Sequence, residues 1–353
     1  MLIRERTEQL ERDHLSPYAA LSCHSRGRRA FEEKCPVRTD YQRDRDRIIH
    51  LCRAFRRLAQ KTQVFFAPQE DHLRTRLSHT LEVAQVGRTI SKALRLNEEL
   101  TEAIALGHDV GHTPFGHAGE AALDEVHRQY DAEAGFAHNA HSLRVVDELE
   151  RNGSGLNLTY ETREGIAAHS KAMRGLKHSL GEGGGTLEAM VVRISDRVAY
   201  LNHDLDDCLR AGVIPPEDVP QQCLDVLGRR HSERVGRMVM DVIEHSLDAP
   251  ALAMSDEVLE AADTLKDFLN ENVYLGPRLS AEREKIRGII HQLFHLYMAS
   301  DEALFEGTGF VPPDVKARAR VVCDYVAGMT DRFARNQYLK HFLPSGFLGV
   351  EGF

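Results

Sequence analysis

Hydrophobic residues recur at intervals of three and four along most of this chain. Val83, Val86 and Ile90 would share one side of a helix, and Ala93 continues that stripe. A second stripe consists of Val191, Ile194, Val198, Leu201 and Leu205. These spacings follow the 3.6-residue period of an α-helix, and alternating strand patterns bounded by turn residues are nearly absent. The pattern predicts an all-α protein.

The periodic segments also predict where the helices lie. We expect helices over residues 43–60, 77–95, 98–108, 117–129, 138–151, 160–170, 187–211, 229–246, 256–271, 280–299 and 313–340. The first 40 residues are less regular. Asn97 is a suitable N-cap for the helix that begins at Glu98, because its side chain can accept a backbone N–H. The glycine run at 181–185 predicts a flexible loop, since glycine is unfavourable inside a helix.

Composition excludes several classes of protein. Hydrophobic residues make up 42% and charged residues 28% of the 353 positions, which is typical of a soluble globular chain. No apolar stretch approaches the roughly 20 residues that a membrane helix needs. The charged N-terminus does not resemble a signal peptide, and the six cysteines contain no Cys-x-x-Cys pair. We therefore expect a cytoplasmic protein with free thiols and no membrane partner.

Charge is distributed unevenly along the chain. The formal net charge is −9, yet the segment from Arg26 to Lys61 holds 12 Lys or Arg against 5 Asp or Glu, a local balance of +7. Such an excess favours an anionic partner at one face, including single-stranded nucleic acid. The alternative is a solvated surface on which the arginines pair with neighbouring acids such as Asp40, Asp44 and Asp46.

Histidines are concentrated in one part of the chain. Eight of the 19 fall between His72 and His141. His79 shares the helical face of Val83, so it should point into the core. Leu100, Ile104 and His108 form another apolar face that ends in a histidine, and Asp109 follows where Gly111 lets the backbone turn.

Asp196 lies close to the buried stripe of a third apolar helix, and a buried carboxylate needs a partner to stay ionised. Together with His79, His108 and Asp109 it would form a mixed nitrogen and oxygen site. Such a site suits Mn²⁺, Fe²⁺, Mg²⁺ or Co²⁺ better than a structural zinc. A core histidine with an ordinary hydrogen bond is the alternative for any one of these residues taken alone.

A second cluster follows the His-Asp pair and contains His112, His117 and Glu120. If a helix begins near His117, Glu120 lies one turn later and can fix the orientation of the imidazole. This is a general acid/base arrangement beside a metal site. The alternative is that these residues simply lie on a solvated loop and at a helix start, and this alternative applies more to His112 than to His117.

Several motifs resemble the deoxyguanosine triphosphate triphosphohydrolase-like family of HD-domain phosphohydrolases. At the site they are Arg76-Leu-Ser-His79-Thr, His108-Asp109-Val-Gly-His-Thr-Pro-Phe-Gly-His117-Ala-Gly-Glu120 and Ile194-Ser-Asp196-Arg197. Outside the site they include Phe55-Arg-Arg-Leu58, Lys61-Thr-Gln-Val64, Phe136-Ala-His-Asn139 and Asp324-Tyr-Val-Ala-Gly-Met-Thr-Asp331. The resemblance covers about residues 16 to 340.

The resemblance implies hydrolysis of a deoxynucleoside triphosphate to the deoxynucleoside and inorganic triphosphate. It implies an HD-domain helical bundle over 66–210, an arginine-rich N-terminal segment and helix over 1–65, and C-terminal helices packed on the core over 211–353. The implied metal ligands, which would hold one divalent ion, are His79, His108, Asp109 and Asp196. The implied catalytic residues are His117, Glu120 and His112, and the implied substrate-binding residues are Gln63, Arg76, His138, Arg197, Tyr200 and Asp204. A further Mg²⁺ could accompany the substrate triphosphate.

By the same resemblance we expect a homo-oligomer in which an activating dNTP binds near the arginine-rich segment. Two alternatives remain open. The chain could be another HD phosphohydrolase acting on nucleotide mono- or diesters, or a nucleic-acid-binding regulatory module with a vestigial site.

Overall fold

A computed structural model of the chain describes residues 1–64, 74–169 and 185–344. Its α-helices are α1 (Ile3–His14), α2 (Asp40–Leu51), α3 (Arg53–Arg57), α4 (Arg76–Ala93), α5 (Glu98–Gly107), α6 (Gly116–Arg128), α7 (His138–Arg144), α8 (Tyr160–Ala168), α9 (Leu187–Arg210), α10 (Gln221–Leu227), α11 (His231–Ser246), α12 (Asp256–Leu269), α13 (Pro277–Ala299), α14 (Asp301–Thr308), α15 (Val315–Ala327) and α16 (Asp331–Phe342). Among the described residues, strand pairing is limited to two isolated bridges, Arg28 with Thr159 and Thr62 with Thr75. The all-α prediction is confirmed.

Side-chain caps explain where several of these helices begin. The Asn97 side chain accepts the Leu100 N–H, as predicted, and Thr75 and Thr186 accept the corresponding amides of α4 and α9. Each cap satisfies one of the first amide groups of its helix, which have no partner inside the helix. The three helices that carry the HD motifs therefore all begin at well-defined residues.

Three of the predicted helical segments need correction. The segment 313–340 is two helices, because Gly328 ends α15 and Thr330 caps α16 through the Phe333 N–H. The segment 43–60 breaks at Cys52, whose backbone is extended. The segment 138–151 leaves α-helical geometry after Arg144 and passes through a π-helical turn, Val145–Leu149. The spacing of hydrophobic residues continues across each interruption, so this spacing alone does not reveal where the helices break.

The first 40 residues are more regular than expected, because α1 is a helix of 12 residues. It is nearly devoid of apolar residues, and its buried side chains are Glu8 and Glu11. Glu11 accepts hydrogen bonds from the amide and the hydroxyl of Ser22, both at 2.7 Å. A helix that docks through carboxylates shows no hydrophobic period. The predicted glycine loop falls mainly on residues that lie outside the described part of the chain.

The buried hydrophobic residues form three clusters. The first joins α4 and α9 to α10, α11 and α12, and the second joins α2, α3, α4, α5, α8 and α9. The third joins α6 to α13, α14, α15 and α16. Because α5 belongs to the second cluster and α6 to the third, the connection from His108 to Phe115 passes from one core to the next. The candidate site lies along this connection. None of the described helices combines the length and the apolar character needed to cross a membrane.

Candidate active site

Four side chains from three helices meet at the end of α5. His79 lies on α4, His108 and Asp109 directly follow α5, and Asp196 lies on α9. His79 Nε2 is 3.0 Å from Asp196 Oδ1. His108 Nε2 is 3.5 Å from Asp109 Oδ1 and 3.9 Å from Asp196 Oδ1. The structure thus brings together the predicted metal-binding residues.

The orientation of His108 shows which nitrogen could bind an ion. Its Nδ1 donates to the Ala105 carbonyl at 2.6 Å, so Nε2 carries the free lone pair. That Nε2 is buried and has no hydrogen-bond partner among the described residues. An unpartnered buried nitrogen is costly unless a ligand satisfies it.

The spacing of these donors fits a divalent ion. Ligands about 2.1 Å from a metal and at right angles to one another lie about 3.0 Å apart, and opposite ligands lie about 4.2 Å apart. The three measured separations fall between these limits. One donor atom each from His79, His108 and Asp196 also lie within 4.8 Å of one another. The mixed nitrogen and carboxylate set suits Mn²⁺, Fe²⁺ or Co²⁺.

Neighbouring histidines and Arg76 keep both carboxylates ionised. Burial would raise the pKa of Asp109, but His108, His112 and Arg76 together hold it well below its usual range. Arg76 Nη1 donates to Asp109 Oδ2 at 2.7 Å. Burial would likewise raise the pKa of Asp196, but the hydrogen bond from His79 lowers it. Arg76, a predicted substrate-binding residue, therefore also holds the carboxylate of Asp109, a predicted metal ligand.

Glu120 joins two histidines of the second cluster. Its Oε2 accepts from His117 Nδ1 and its Oε1 accepts from His138 Nδ1, both at 2.8 Å. Burial would raise the pKa of Glu120, but these two hydrogen bonds hold it well below its usual range. The His117 side chain is 60% exposed, so its Nε2 can reach a substrate. The rings of His112 and His117, the two predicted catalytic histidines, lie 5.1 Å apart, and His112 stacks on the predicted substrate-binding His138 with ring centres 4.1 Å apart.

His169 was not among the predicted site residues, but it lies next to His138 and extends the row of histidines. His169 Nδ1 donates to the Ile166 carbonyl at 2.7 Å, so its Nε2 can accept. That Nε2 lies 3.1 Å from His138 Nε2. With His169 as acceptor, His138 donates from both nitrogens. Burial lowers the pKa of His138, but the hydrogen bond to Glu120 raises it above its usual value overall, whereas burial lowers the pKa of His169 to about 3. The signal that could have found His169 is an apolar helix ending in histidine, as in α5.

The loop between Asp109 and α6 has an unusual backbone, which distant residues hold in place. Phe115 and Gly116 both have positive φ, 62° and 57°. A Cβ at Gly116 would lie 3.1 Å from Arg76 Nη2, so glycine is needed there for space as well as for conformation. The Phe115 amide donates to Asp331 Oδ1 at 2.9 Å, and Lys61 Nζ donates to the carbonyls of His112 and Ala327. Residues from both ends of the chain thus fix the active-site loop.

The predicted sugar-binding residues lie on one face of α9. Tyr200 and Asp204 are one turn apart, and the Tyr200 ring stacks on Tyr274 with centres 5.8 Å apart. The Tyr274 hydroxyl donates to Asp204 Oδ2, while Asp204 Oδ1 is buried without a hydrogen-bond partner in the described structure. Tyr274 is a second residue that the sequence did not indicate.

The other two predicted substrate contacts are near the same loop and helix. The Gln63 backbone carbonyl would lie 3.6 Å from a Cβ at Gly116, so Gln63 is adjacent to the loop. Arg197 follows Asp196 on α9 and is half-buried. Their roles toward a substrate remain predictions.

The arginine-rich segment is internally paired from Arg26 to Arg47. Each of the seven arginines from Arg26 to Arg47 forms an ion pair with a carboxylate. Arg45 pairs with Glu99 and Glu102, and Arg47 pairs with Glu32 and donates to two carbonyls near Asn157. Asp44 is fully buried against Arg28. An anionic partner at this segment remains a prediction.

Comparison with known proteins agrees with this geometry. The HD domain model matches residues 76–201, which include the four predicted metal ligands. A phosphohydrolase-associated domain model matches residues 252–340, which include Asp324 and Asp331.

Curated relatives match nearly the whole chain. A deoxyguanosinetriphosphate triphosphohydrolase-like protein from Caldanaerobacter subterraneus subsp. tengcongensis is 51% identical over 346 residues, covering 98% of this chain and 97% of that protein. A protein of the same name from Desulfatibacillum aliphaticivorans is 49% identical over 354 residues, with 98% and 99% covered. A crystal structure of a hypothetical protein from Aquifex aeolicus aligns with a TM-score of 0.44 at 19% identity, over 85% of this chain and 68% of that one, which is too distant to bear on function.

Proposed function

The chain belongs to the deoxyguanosinetriphosphate triphosphohydrolase-like family of HD-domain proteins, and from this premise we propose that it hydrolyses dNTPs to the deoxynucleoside and inorganic triphosphate. The observation that supports this most strongly is the continuity of the site. A single segment from His108 to Glu120 supplies two metal donors and the acid/base pair, so a phosphate at the metal site would be within reach of a proton donor.

The metal site and the basic residues around it would bind the triphosphate. A divalent ion held by His79, His108, Asp109 and Asp196 supplies, when bound, polarisation of a phosphoryl oxygen and acidification of water. Arg76 is already fixed by Asp109, and Arg197 lies next to Asp196 in the chain. Cations in these positions would stabilise the charge that develops on the phosphoryl oxygens in the transition state.

His117 would transfer the proton. Its Nδ1–H is fixed by Glu120, and its exposed Nε2 can protonate the departing 5′-oxygen or orient the attacking water. His138 lies beside it, and because the hydrogen bond to Glu120 raises the pKa of His138 against the effect of burial, a charged His138 would add a positive charge next to the substrate phosphates. Hydrogen bonds connect His169 to His138, His138 to Glu120 and Glu120 to His117. Each of these bonds would favour one protonation state in the residue next to it.

Asp204 and Tyr200 would recognise the deoxyribose. The free oxygen of Asp204 is a hydrogen-bond acceptor that needs a donor, and a sugar hydroxyl is such a donor. Tyr200 can pack against the sugar ring while Tyr274 supports its orientation. Gln63, adjacent to Gly116, would approach the edge of the same sugar.

The test is product analysis with each of the four dNTPs in the presence of Mn²⁺ or Mg²⁺. Chromatography should resolve a deoxynucleoside and intact triphosphate in equal amounts, and the His117→Ala variant should serve as the matched control. Release of phosphate or pyrophosphate would assign the chain to another class of HD phosphohydrolase. Salt-dependent binding of single-stranded DNA without turnover of any dNTP would favour the regulatory module.

A further inference from the structure

A polar cavity lies next to the active-site loop, and Val110 of that loop is one of its lining residues. Its volume is about 140 Å³, well above the roughly 10–15 Å³ that a single water needs. It lies between α3, the end of α7 and the end of α15. The charged and titratable residues that line it are Arg53, Arg57, His141, Glu150, Arg151 and Asp324.

The arginines of this cavity differ from those between Arg26 and Arg47. The side chains of Arg53, Arg57 and Arg151 make no ion pair or hydrogen bond with any residue in the described ranges. Arg57 Nε is buried and unpartnered. Burial lowers the pKa of Arg57, and Glu150 offsets this effect only in part. Arg57 as a whole is half-buried, but its buried Nε–H is unfavourable without a hydrogen-bond acceptor.

His141 provides an independent observation. It is 96% buried and lines the cavity, and both of its ring nitrogens lack a hydrogen-bond partner within the described structure. Its Nδ1 is 3.7 Å from Asp324 Oδ1, which is too far for a hydrogen bond. A neutral imidazole always carries one N–H, so His141 has a donor directed at the cavity or its wall and nothing to receive it.

The two carboxylates of the cavity are already engaged. Asp324 accepts two hydrogen bonds from Arg144 Nε, at 2.9 and 3.1 Å, and a third from Arg144 Nη2 at 2.7 Å. Glu150 Oε1 accepts the Ala54 amide at 2.8 Å. Asp324 is thus paired with Arg144, whereas Glu150 keeps its negative charge beside Arg57. Among the described lining residues, three arginines and one imidazole therefore face a single carboxylate that has no cationic hydrogen-bond partner.

We propose that this cavity is a second anion site, which binds a phosphate or pyrophosphate group through Arg53, Arg57, Arg151 and His141. The group could belong to a free inorganic ion or to a nucleotide. Planar guanidinium groups donate in pairs to phosphate oxygens, and three of them around one cavity provide enough donors for a tetrahedral group. This inference does not rest on the proposed function, because it concerns a site that contains none of the metal or acid/base residues.

The position of the cavity connects it to the active-site loop. His141 is one turn after His138 on α7, and Val110, which also lines the cavity, follows Asp109. Ala327, another lining residue, provides a carbonyl to Lys61, which also binds the His112 carbonyl. An anion here would therefore contact the same elements that hold the loop.

Calorimetric titration of the full-length, metal-loaded protein with sodium pyrophosphate tests the site. Removing one charged hydrogen-bonding partner should weaken binding about tenfold or more, so we expect this loss in Arg57→Gln and in Arg53→Gln. Arg56→Gln is the matched control, because Arg56 lies on the same short helix but bonds the His50 carbonyl and does not line the cavity. Arg53 and Arg151 are exposed, so their variants should fold even if Arg57→Gln does not.

The His108→Ala variant separates this site from the metal site and should retain the binding. Displacement of pyrophosphate by a dNTP in that variant would identify a nucleotide as the occupant, whereas displacement only by inorganic phosphate would identify the free ion. Unchanged pyrophosphate affinity in Arg53→Gln and Arg151→Gln, or loss of all binding in His108→Ala, would overturn the proposal.

Discussion

The cluster of predicted metal ligands (His79, His108, Asp109 and Asp196) and the arginine-rich segment both contain many charged residues. They differ in whether their polar atoms have partners within the chain. In the segment, every arginine from Arg26 to Arg47 has a carboxylate partner inside the chain. In the cluster, His108 Nε2 is buried with no partner in the described structure, and its carboxylate neighbours lie at ligand spacing rather than hydrogen-bond distance.

This difference separates two uses of charge. Charges that are satisfied within the chain hold elements together, and their removal should affect stability. Polar atoms that are buried without a partner cost stability unless something from outside the chain binds them, and their removal should affect ligand binding. Substitutions in the arginine-rich segment should therefore change stability, and substitutions in the cluster should change ligand binding.

The largest effect should follow from removing a metal donor. In His108→Ala we expect complete loss of dNTP hydrolysis and a strong decrease in bound divalent metal, because the Nε2 lone pair, which has no hydrogen-bond partner in the described structure, is removed from the donor set. Elemental analysis and the chromatographic assay measure the two quantities. Asp109→Ala should behave in the same way, and full turnover with metal retained in both variants would rule out the metal assignment.

Removing His117 should affect the rate without affecting the metal. General acid/base groups typically contribute about 10²–10⁴-fold, and His117 has no contact with the metal donors other than through the rings of His112 and His138. We expect His117→Ala to lose a factor in this range in kcat while its metal content stays at the wild-type level. His50→Ala, which changes an exposed histidine on α2, is the control. A variant that lost its metal instead would make His117 a ligand.

The arginine-rich segment should show the opposite response. Arg28 is almost fully buried and pairs with Asp44, which has no exposed surface. Asp44 also accepts hydrogen bonds from Thr159 and Thr162, so its charge is central to the packing of α2 against the start of α8. Breaking such a buried pair costs about 3–5 kcal/mol. Arg28→Ala should therefore lower the free energy of unfolding in urea, with metal still bound by the folded fraction. A stable Arg28→Ala variant that cannot bind metal would contradict the assignment of Arg28 to the structural, internally paired charges.

The sequence predicted the fold class, and it singled out residues that the structure brings together, for a physical reason. His79, His108 and Asp196 each interrupt or border an apolar stripe, and a polar residue on a buried face must have a partner. The same reasoning could not find contacts between elements that are distant in the chain. Lys61 and Asp331 hold the active-site loop from 51 and 216 residues away, and nothing in the local pattern of either residue indicates this.

The arginine excess shows the converse limit. Counting charges along the chain gave a local balance of +7, but it could not show that Glu99, Glu102, Asp147 and Glu161 fold back onto these arginines. The partners come from α5, α8 and the π-helical turn, far outside the segment that was counted. Charge runs become informative only when the acids of other elements are placed beside them.

Asp204 combines features of both regions, because one of its oxygens is bonded and the other is free. Burial raises its pKa to about 7, above the value of about 3.9 in an unfolded chain, so folding favours its protonated form. Its contribution to stability is therefore complete below about pH 4 and is lost as the pH rises through 7. Asp204→Asn should be more stable than the wild type at pH 8 by about 2–4 kcal/mol, and this gap should close toward pH 4. Urea unfolding at several pH values measures it, and a gap independent of pH would show that Asp204 does not titrate in this range.

The smallest effect should come from the exposed edge of the arginine-rich segment. Arg45 is partly exposed and pairs with Glu99 and Glu102. Pairs of this kind contribute about 0–1 kcal/mol, and charge reversal adds a repulsion of similar size. In Arg45→Glu we expect a small decrease in unfolding free energy and unchanged metal content.

The same variant tests the prediction that a dNTP activates the protein by bridging two subunits here. If activation depends on Arg45, stimulation of one dNTP's hydrolysis by another, and any nucleotide-dependent increase in oligomer mass, should weaken by far more than the small stability change can explain. That result would show that a fully paired arginine can exchange its internal carboxylates for a ligand, and the distinction between satisfied and unsatisfied charge would then fail at this position. Equal stimulation in Arg45→Glu and the wild type would leave Arg45 as a structural residue.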